Sequence, residues 1–148
     1  MHGSPVRELL RRAVAESDPV AMREAIERLF AQGGPHALSP EAEYAIRAED
    51  YIMEMPQSGE RIRGREAMRA MQEGFPTPPT IRLRRVTGAG GVWVVEGVND
   101  YDGDVWRVVL ILELDADGRI HRDTRYYTKS FDPPEWRSRW VERMTGEV

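Results

Sequence analysis

Cysteine is absent from this 148-residue chain, lysine occurs once (Lys129) and histidine three times (His2, His36, His121). Without cysteine there are no disulfides and no thiolate zinc sites, and the redox compartment stays open. No two histidines stand at metal-ligand spacing, so no metal is expected. No apolar run approaches the ~20 residues of a membrane span, and residues 1–13 carry charges where a signal peptide has its apolar core. A cytoplasmic protein without a membrane partner is the expectation. The net charge of −4 gives no electrostatic ground for nucleic-acid binding. A glycine-flanked serine elbow is missing as well, so the common nucleophiles have no motif here.

What is present is an ordinary globular mixture, 41% hydrophobic and 31% charged, in a length that fits one domain over 1–148. The stretch 92–131 organises it. Three β-rich runs are joined by polar Asp-Gly turns around Asp102-Gly103 and Asp117-Gly118, the pattern of an antiparallel meander. Before it the reading is mostly helical. Residues 5–16 form a weak amphipathic helix or a mobile arm. Asp18-Pro19 and Ser39-Pro40 start two helices, the second running to about Ala48, and Gly33-Gly34-Pro35 stops the first. Residues 51–55 alternate as a strand and turn back at 56–59. A helix follows Gly64 with Ala67, Met68 and Met71 inward, and 81–86 is a further strand. A last helix capped by Asp132 aligns Trp136, Trp140 and Met144 at i, i+4, i+8. Helices, a strand pair, a helix and then a meander make an α+β order.

Two motifs have plain explanations. Gly88-Ala89-Gly90-Gly91 joins two strands, whereas a phosphate-cradling loop must open a helix. The Asp-Gly clusters lack the glycine and glutamate positions of a calcium loop, and turn chemistry accounts for them.

The last strand carries the chemistry. Alternation puts His121, Asp123, Arg125 and Tyr127 on one face and Ile120, Arg122, Thr124 and Tyr126 on the other. If Leu114 pairs with Ile120, Arg107 lies opposite Tyr127 and joins the first face with Val109 and Ile111. That face is a solvated strand surface or a pocket wall. In a pocket, a carboxylate among apolar groups can be tuned as an acid or base and arginines clamp anions.

Several motifs resemble the nuclear transport factor 2-like superfamily, in particular its SnoaL-like branch. They are Glu54-Met55-Pro56-Gln57-Ser58-Gly59-Glu60 leading to Gly64-Arg65, then Asp117-Gly118-Arg119-Ile120, and Arg122-Asp123-Thr124-Arg125-Tyr126-Tyr127 followed by Pro134-x-Trp136-Arg137. The likeness spans about 18–142. It implies a cone: a strongly curved antiparallel sheet packed on N-terminal helices, with a short C-terminal helix, a pocket between helices and sheet, and dimerisation through the convex face. The familiar catalytic acids do not carry over. The general base of ketosteroid isomerases falls on Met55 and their protonated aspartate on Arg107. The last-strand aspartate of cyclases and epoxide hydrolases falls on Arg125, with a carboxylate two residues earlier at Asp123.

The site expected from these readings places Asp123 and His121 as catalytic groups. Arg107, Arg125, Tyr127, Tyr51, Met53 and Met55 are its substrate-binding lining. The ligand is a small, largely apolar molecule with a carboxylate or enolate. The alternatives are cofactor-free isomerisation, cyclisation or dehydration, non-catalytic ligand binding, and a dimeric interaction module. No cofactor is expected. A homodimer is expected through a convex face of Trp106, Val108, Leu110, Leu112, Leu114, Thr124 and Tyr126, which would otherwise be a large wet apolar patch.

Overall fold

The computed structural model describes residues 5–31, 38–76 and 78–145. His2, His36 and the glycine-proline stop at 33–35 lie outside the described residues. The N-terminal stretch is a helix, α1 (Pro5–Glu16), because Val6, Leu10 and Ala13 form one buried stripe. In α2 (Pro19–Phe30), the Asp18 carboxylate accepts from the Val20 and Ala21 amides, and Ala21, Met22, Ala25 and Ile26 are buried. A shorter α3 (Pro40–Ala45) is capped by Ser39. It stops before residue 48, because the chain must extend there to join the sheet. The Ile46 carbonyl already accepts from the Ile120 amide at 2.8 Å.

Strand β1 (Arg47–Met55) hairpins into β2 (Glu60–Arg63), and α4 (Arg65–Glu73) follows. Met68 is the buried residue of α4; Ala67, expected inward, is exposed. The meander is β3 (Thr80–Ala89), β4 (Val92–Tyr101), β5 (Asp104–Leu114) and β6 (Ile120–Thr128), and the sheet order is β2-β1-β6-β5-β4-β3. One pair departs from the antiparallel expectation: β1 and β6 run parallel, so the sheet is mixed. These are the first and last strands of the sheet in chain order, and the elements between them supply the long connection a parallel pair needs.

Three ladders shift register, between Arg47 and Ile52, between Leu83 and Arg85, and between Glu113 and Leu114. Each bulge bends its strand and increases twist, and together they curve the sheet around the helical layer. Two glycines permit close approaches. A Cβ at Gly88 would stand 2.4 Å from the Val92 carbonyl and 2.8 Å from the Trp93 ring, which is fully buried. Gly118, at φ +77°, brings the β5–β6 turn against α1, where a Cβ would meet Arg11 N at 3.0 Å. The Nε groups of Arg7 and Arg11 both donate to the Asp117 carbonyl and fasten that turn to the helix.

The bulge at the start of β6 overturns part of the expected facing. Leu114 does pair with Ile120, but Glu113 pairs with Arg122, so His121 is the extra residue. Beyond it the parity changes. Ile120 and Asp123 are both buried, while His121 and Arg122 are half-exposed. Arg107 pairs with Thr128, not Tyr127, and is exposed on the outer face. Val108, Leu110 and Leu112, expected on the convex surface, are buried inside, and Val109 and Ile111 face outward instead. Trp106 likewise packs against the core. The last helix also differs. Glu135–Trp140 is a 3-10 helix, whose three-residue period does not align Trp136, Trp140 and Met144, and all three are exposed.

Candidate functional site

The concave face collects side chains from α2, β1 and the meander. Alternation along β1 sends Tyr51 and Met53 fully inside and Met55 partly so, as expected. Asp123 faces them from β6, opposite Met53 on one side and Leu112 on the other. Tyr51 Oη donates to Asp123 Oδ2 at 3.0 Å. Arg125 closes the other side, with Nη2 at 2.8 Å from Oδ2 and Nε at 3.1 Å from both oxygens. Only 14% of the Arg125 side chain and 3% of the Asp123 side chain are exposed, so this is a desolvated, multiply bonded ion pair.

Burial raises the pKa of Tyr51 well above its usual value, and the Asp123 charge adds to it; Tyr51 therefore stays a neutral donor. Burial works against the charge of Arg125, but the charge and hydrogen bonds of Asp123 together outweigh it and hold the guanidinium protonated.

A second buried cation escaped the sequence reading. Arg47, 3% exposed, lies 5.4 Å from the Tyr51 ring centroid and reaches Glu43 with Nη1 and Nη2 at 3.4 Å, while its Nε has no partner. The signal was hidden because 47 falls where a helix ends and a strand begins, and periodicity is weakest there.

Above the ion pair a residual cavity of about 30 Å3 is lined by Arg125, Tyr127, Asn99, Phe30 and aliphatic groups of β3, β4 and β5. It has room for a water or two and is an order of magnitude below the ~300 Å3 of a small-molecule pocket. Phe30, the last residue of α2, and Asn99 are lining residues that sequence reasoning missed.

The structure therefore gathers Tyr51, Met53, Met55, Asp123, Arg125 and Tyr127 on the concave side and separates two residues from them. Arg107 is on the opposite face because of the bulge. His121 stands beside β1, with Nδ1 at 2.7 Å from Asp50 and Nε2 at 2.7 Å from Asp115. Both ring nitrogens face carboxylates, which favours the doubly protonated ring, and the Asp115 hydrogen bond leads in raising the pKa of His121. Burial pushes Asp115 up, but hydrogen bonds from His121 and from the Arg119 and Asp117 amides outweigh it and lower its pKa. Among the described residues no group of histidines and carboxylates is arranged to hold a metal ion, and no helix is long and apolar enough to cross a membrane.

The chain matches no family model and no curated protein sequence. Solved structures do resemble it. An NTF-2-like protein of unknown function from Burkholderia xenovorans is 29% identical, covering 95% of this chain and 99% of that one, with a TM-score of 0.68. A putative ketosteroid isomerase from Kribbella flavida is 25% identical over 96% of this chain and 91% of that one, also with a TM-score of 0.68. An LEH-like epoxide hydrolase from M. tuberculosis shares the fold alone, at 16% identity over 82% and 79% of the two chains and a TM-score of 0.51.

Proposed function

The chain belongs to the nuclear transport factor 2-like superfamily, and on that premise we propose that it binds a small molecule inside its cone, in the manner of the SnoaL-like branch. The ligand is largely apolar and carries one carboxylate or enolate. One observation supports this most: the buried Arg125 guanidinium borders a cavity whose other walls are mainly aliphatic and aromatic, with Asn99 and the Tyr127 hydroxyl as the further polar groups. A planar, permanently charged fork in a mainly apolar wall recognises a flat anion, and the apolar lining takes the rest of the molecule. A structural neighbour named a putative ketosteroid isomerase has the same architecture, so a small-molecule site in this cone is consistent with its relatives.

The cavity must grow to admit such a ligand. Phe30 is the lining side chain that can swing aside without moving a strand, since it ends α2. Binding does not require Asp123 to leave Arg125, but acid–base catalysis does, because Arg125 and Tyr51 engage both carboxylate oxygens. A ligand anion that takes over part of the guanidinium would free Asp123 to accept a proton, the route by which it would act as a general base. Binding is the reading the geometry supports first.

Calorimetric titration of the protein with naphthoate and with its uncharged carboxamide tests the proposal. Naphthoate is expected to bind at least ~10-fold more tightly, the share of one charge-assisted hydrogen bond. Equal affinities, or heat from neither, would overturn it.

A further inference from the structure

One buried polar side chain of the cavity is used neither by the ion pair nor fully by the fold. Alternation along β4 turns Trp93, Val95, Gly97 and Asn99 to the concave side, and Asn99 is the polar member of that row. It stands opposite Ile81 on β3 and Trp106 on β5 and is only 8% exposed. Its Nδ2 donates to Tyr101 Oη at 3.2 Å, and the Tyr101 ring stacks on Phe75 with centroids 6.4 Å apart. The nitrogen end of the carboxamide is therefore occupied. Oδ1 has no hydrogen-bond partner among the described residues. It is not sealed away either, since the unpartnered atom that is fully buried among those residues is Arg47 Nε. Asn99 Oδ1 thus opens onto the cavity that Asn99 lines.

An amide oxygen accepts hydrogen bonds and gives none. A purely apolar group laid against it would strip its water and leave it unpaired, which is unfavourable. A molecule filling the cavity must therefore bring a donor. A charged donor fits poorly, because no carboxylate lines the cavity and an ammonium there would be buried without a counter-ion. A hydroxyl is the neutral donor that suits the site. Its place on the ligand follows from the register. Arg125 lies opposite Leu110, which lies opposite Val95, and Asn99 is four residues further along β4. Two strand spacings across and four residues along put the two backbones roughly 17 Å apart. Gly97, between Val95 and Asn99, has no side chain, so the floor between the two polar groups is open. Side chains that reach one cavity from that distance read opposite ends of one molecule.

We infer that Asn99 is a specificity-determining residue and that the ligand is a hydroxylated acid, a flat, largely apolar anion whose far end carries a hydroxyl donating to Asn99 Oδ1. It rests on the ligand reading above and narrows that reading from any apolar anion to a hydroxyl-bearing one. The nearer Tyr127 hydroxyl, two residues from Arg125 on the same face of β6, belongs to the anionic end.

Calorimetric titration of the protein with three acids tests it: naphthoate, the hydroxynaphthoate with its hydroxyl on the ring remote from the carboxylate, and the methyl ether of that hydroxynaphthoate. All three present the same anion, and the second alone has a donor at the far end. The hydroxy acid is expected to bind about 10-fold more tightly than either of the others, the share of one hydrogen bond to an oxygen otherwise left unpaired. In Asn99→Leu, which replaces the acceptor with an aliphatic group, its advantage over naphthoate should vanish. Equal affinities of wild type for the hydroxy acid and naphthoate, or for the hydroxy acid and its ether, overturn the inference and leave the Arg125 anion site standing. A preference that survives in Asn99→Leu overturns it as well, since the hydroxyl is then read elsewhere. The ether comparison uses wild type alone and decides even where the substitution impairs folding. Naphthoate binding no better than its carboxamide strikes the ligand reading itself, and the hydroxyl subsite falls with it.

Discussion

The concave interior and the C-terminal segment 129–145 are built from similar residues, aromatic and arginine-rich, yet they sit in opposite physical states. Inside, Tyr51, Asp123 and Arg125 satisfy one another in a nearly closed space. On the C-terminal segment, Trp136 and Trp140 touch mostly water, and Arg139 stacks on the Trp140 ring at 4.8 Å. The difference teaches where the stability of the monomer is stored. The interior holds the fold through paired charges that cannot be removed singly, whereas the 129–145 segment packs little against the rest of the chain.

Charge removal inside should therefore have the largest effect. Asp123→Asn leaves Arg125 buried without its counter-ion and should destabilise the protein by about 3 kcal/mol or more, roughly 6–12 °C in melting temperature for a chain of this size. Trp136→Ser, which removes an exposed side chain, should stay within ~0.5 kcal/mol. Differential scanning calorimetry of the two variants checks the contrast, and comparable losses would erase it.

A smaller effect is expected where β6 begins. The folded pKa of His121 is raised above its unfolded value of 6.5, so its contribution is fully present below that pH. It is lost as pH rises through the folded pKa. The urea midpoint should fall as pH is raised from about 6 to 9, and His121→Gln should flatten that part of the curve. With the ring 39% exposed, solvent keeps the effect modest. A profile unchanged by the substitution would show that Asp50 and Asp115 hold the turn without the imidazole charge.

Much of the fold was legible in the sequence, because caps and turns are local signals. Asp18 and Ser39 cap helices where their spacing placed them, and both Asp-Gly turns join strands. Tyr51, Met53, Asp123, Arg125 and Tyr127 also stand on the face that alternation gave them. Alternation failed across one inserted residue. Nothing in Ile120-His121-Arg122 marks a bulge, since no glycine or proline stands there, yet it reversed the parity of β5 relative to β6. That single shift moved Arg107 and His121 out of the expected site and put Val108, Leu110 and Leu112 into the core. Arg47 was illegible as a buried cation for another reason, and Phe30, whose spacing put it on the apolar face of its helix, was illegible only as a cavity wall. Both roles depend on how separate elements meet in space, which no spacing along the chain encodes.

The proposal that Arg125 anchors an anion inside a cone closed by Phe30 is tested most directly by an NMR titration of Phe30→Ala and wild type with naphthoate. Removing the ring vacates space beside Arg125 without touching the ion pair. The expected result is binding at least ~10-fold tighter in the variant, with shifts concentrated at Asn99, Val108, Leu110 and Tyr127. Equal affinity in the two proteins, or shifts confined to residues 129–145, would contradict it.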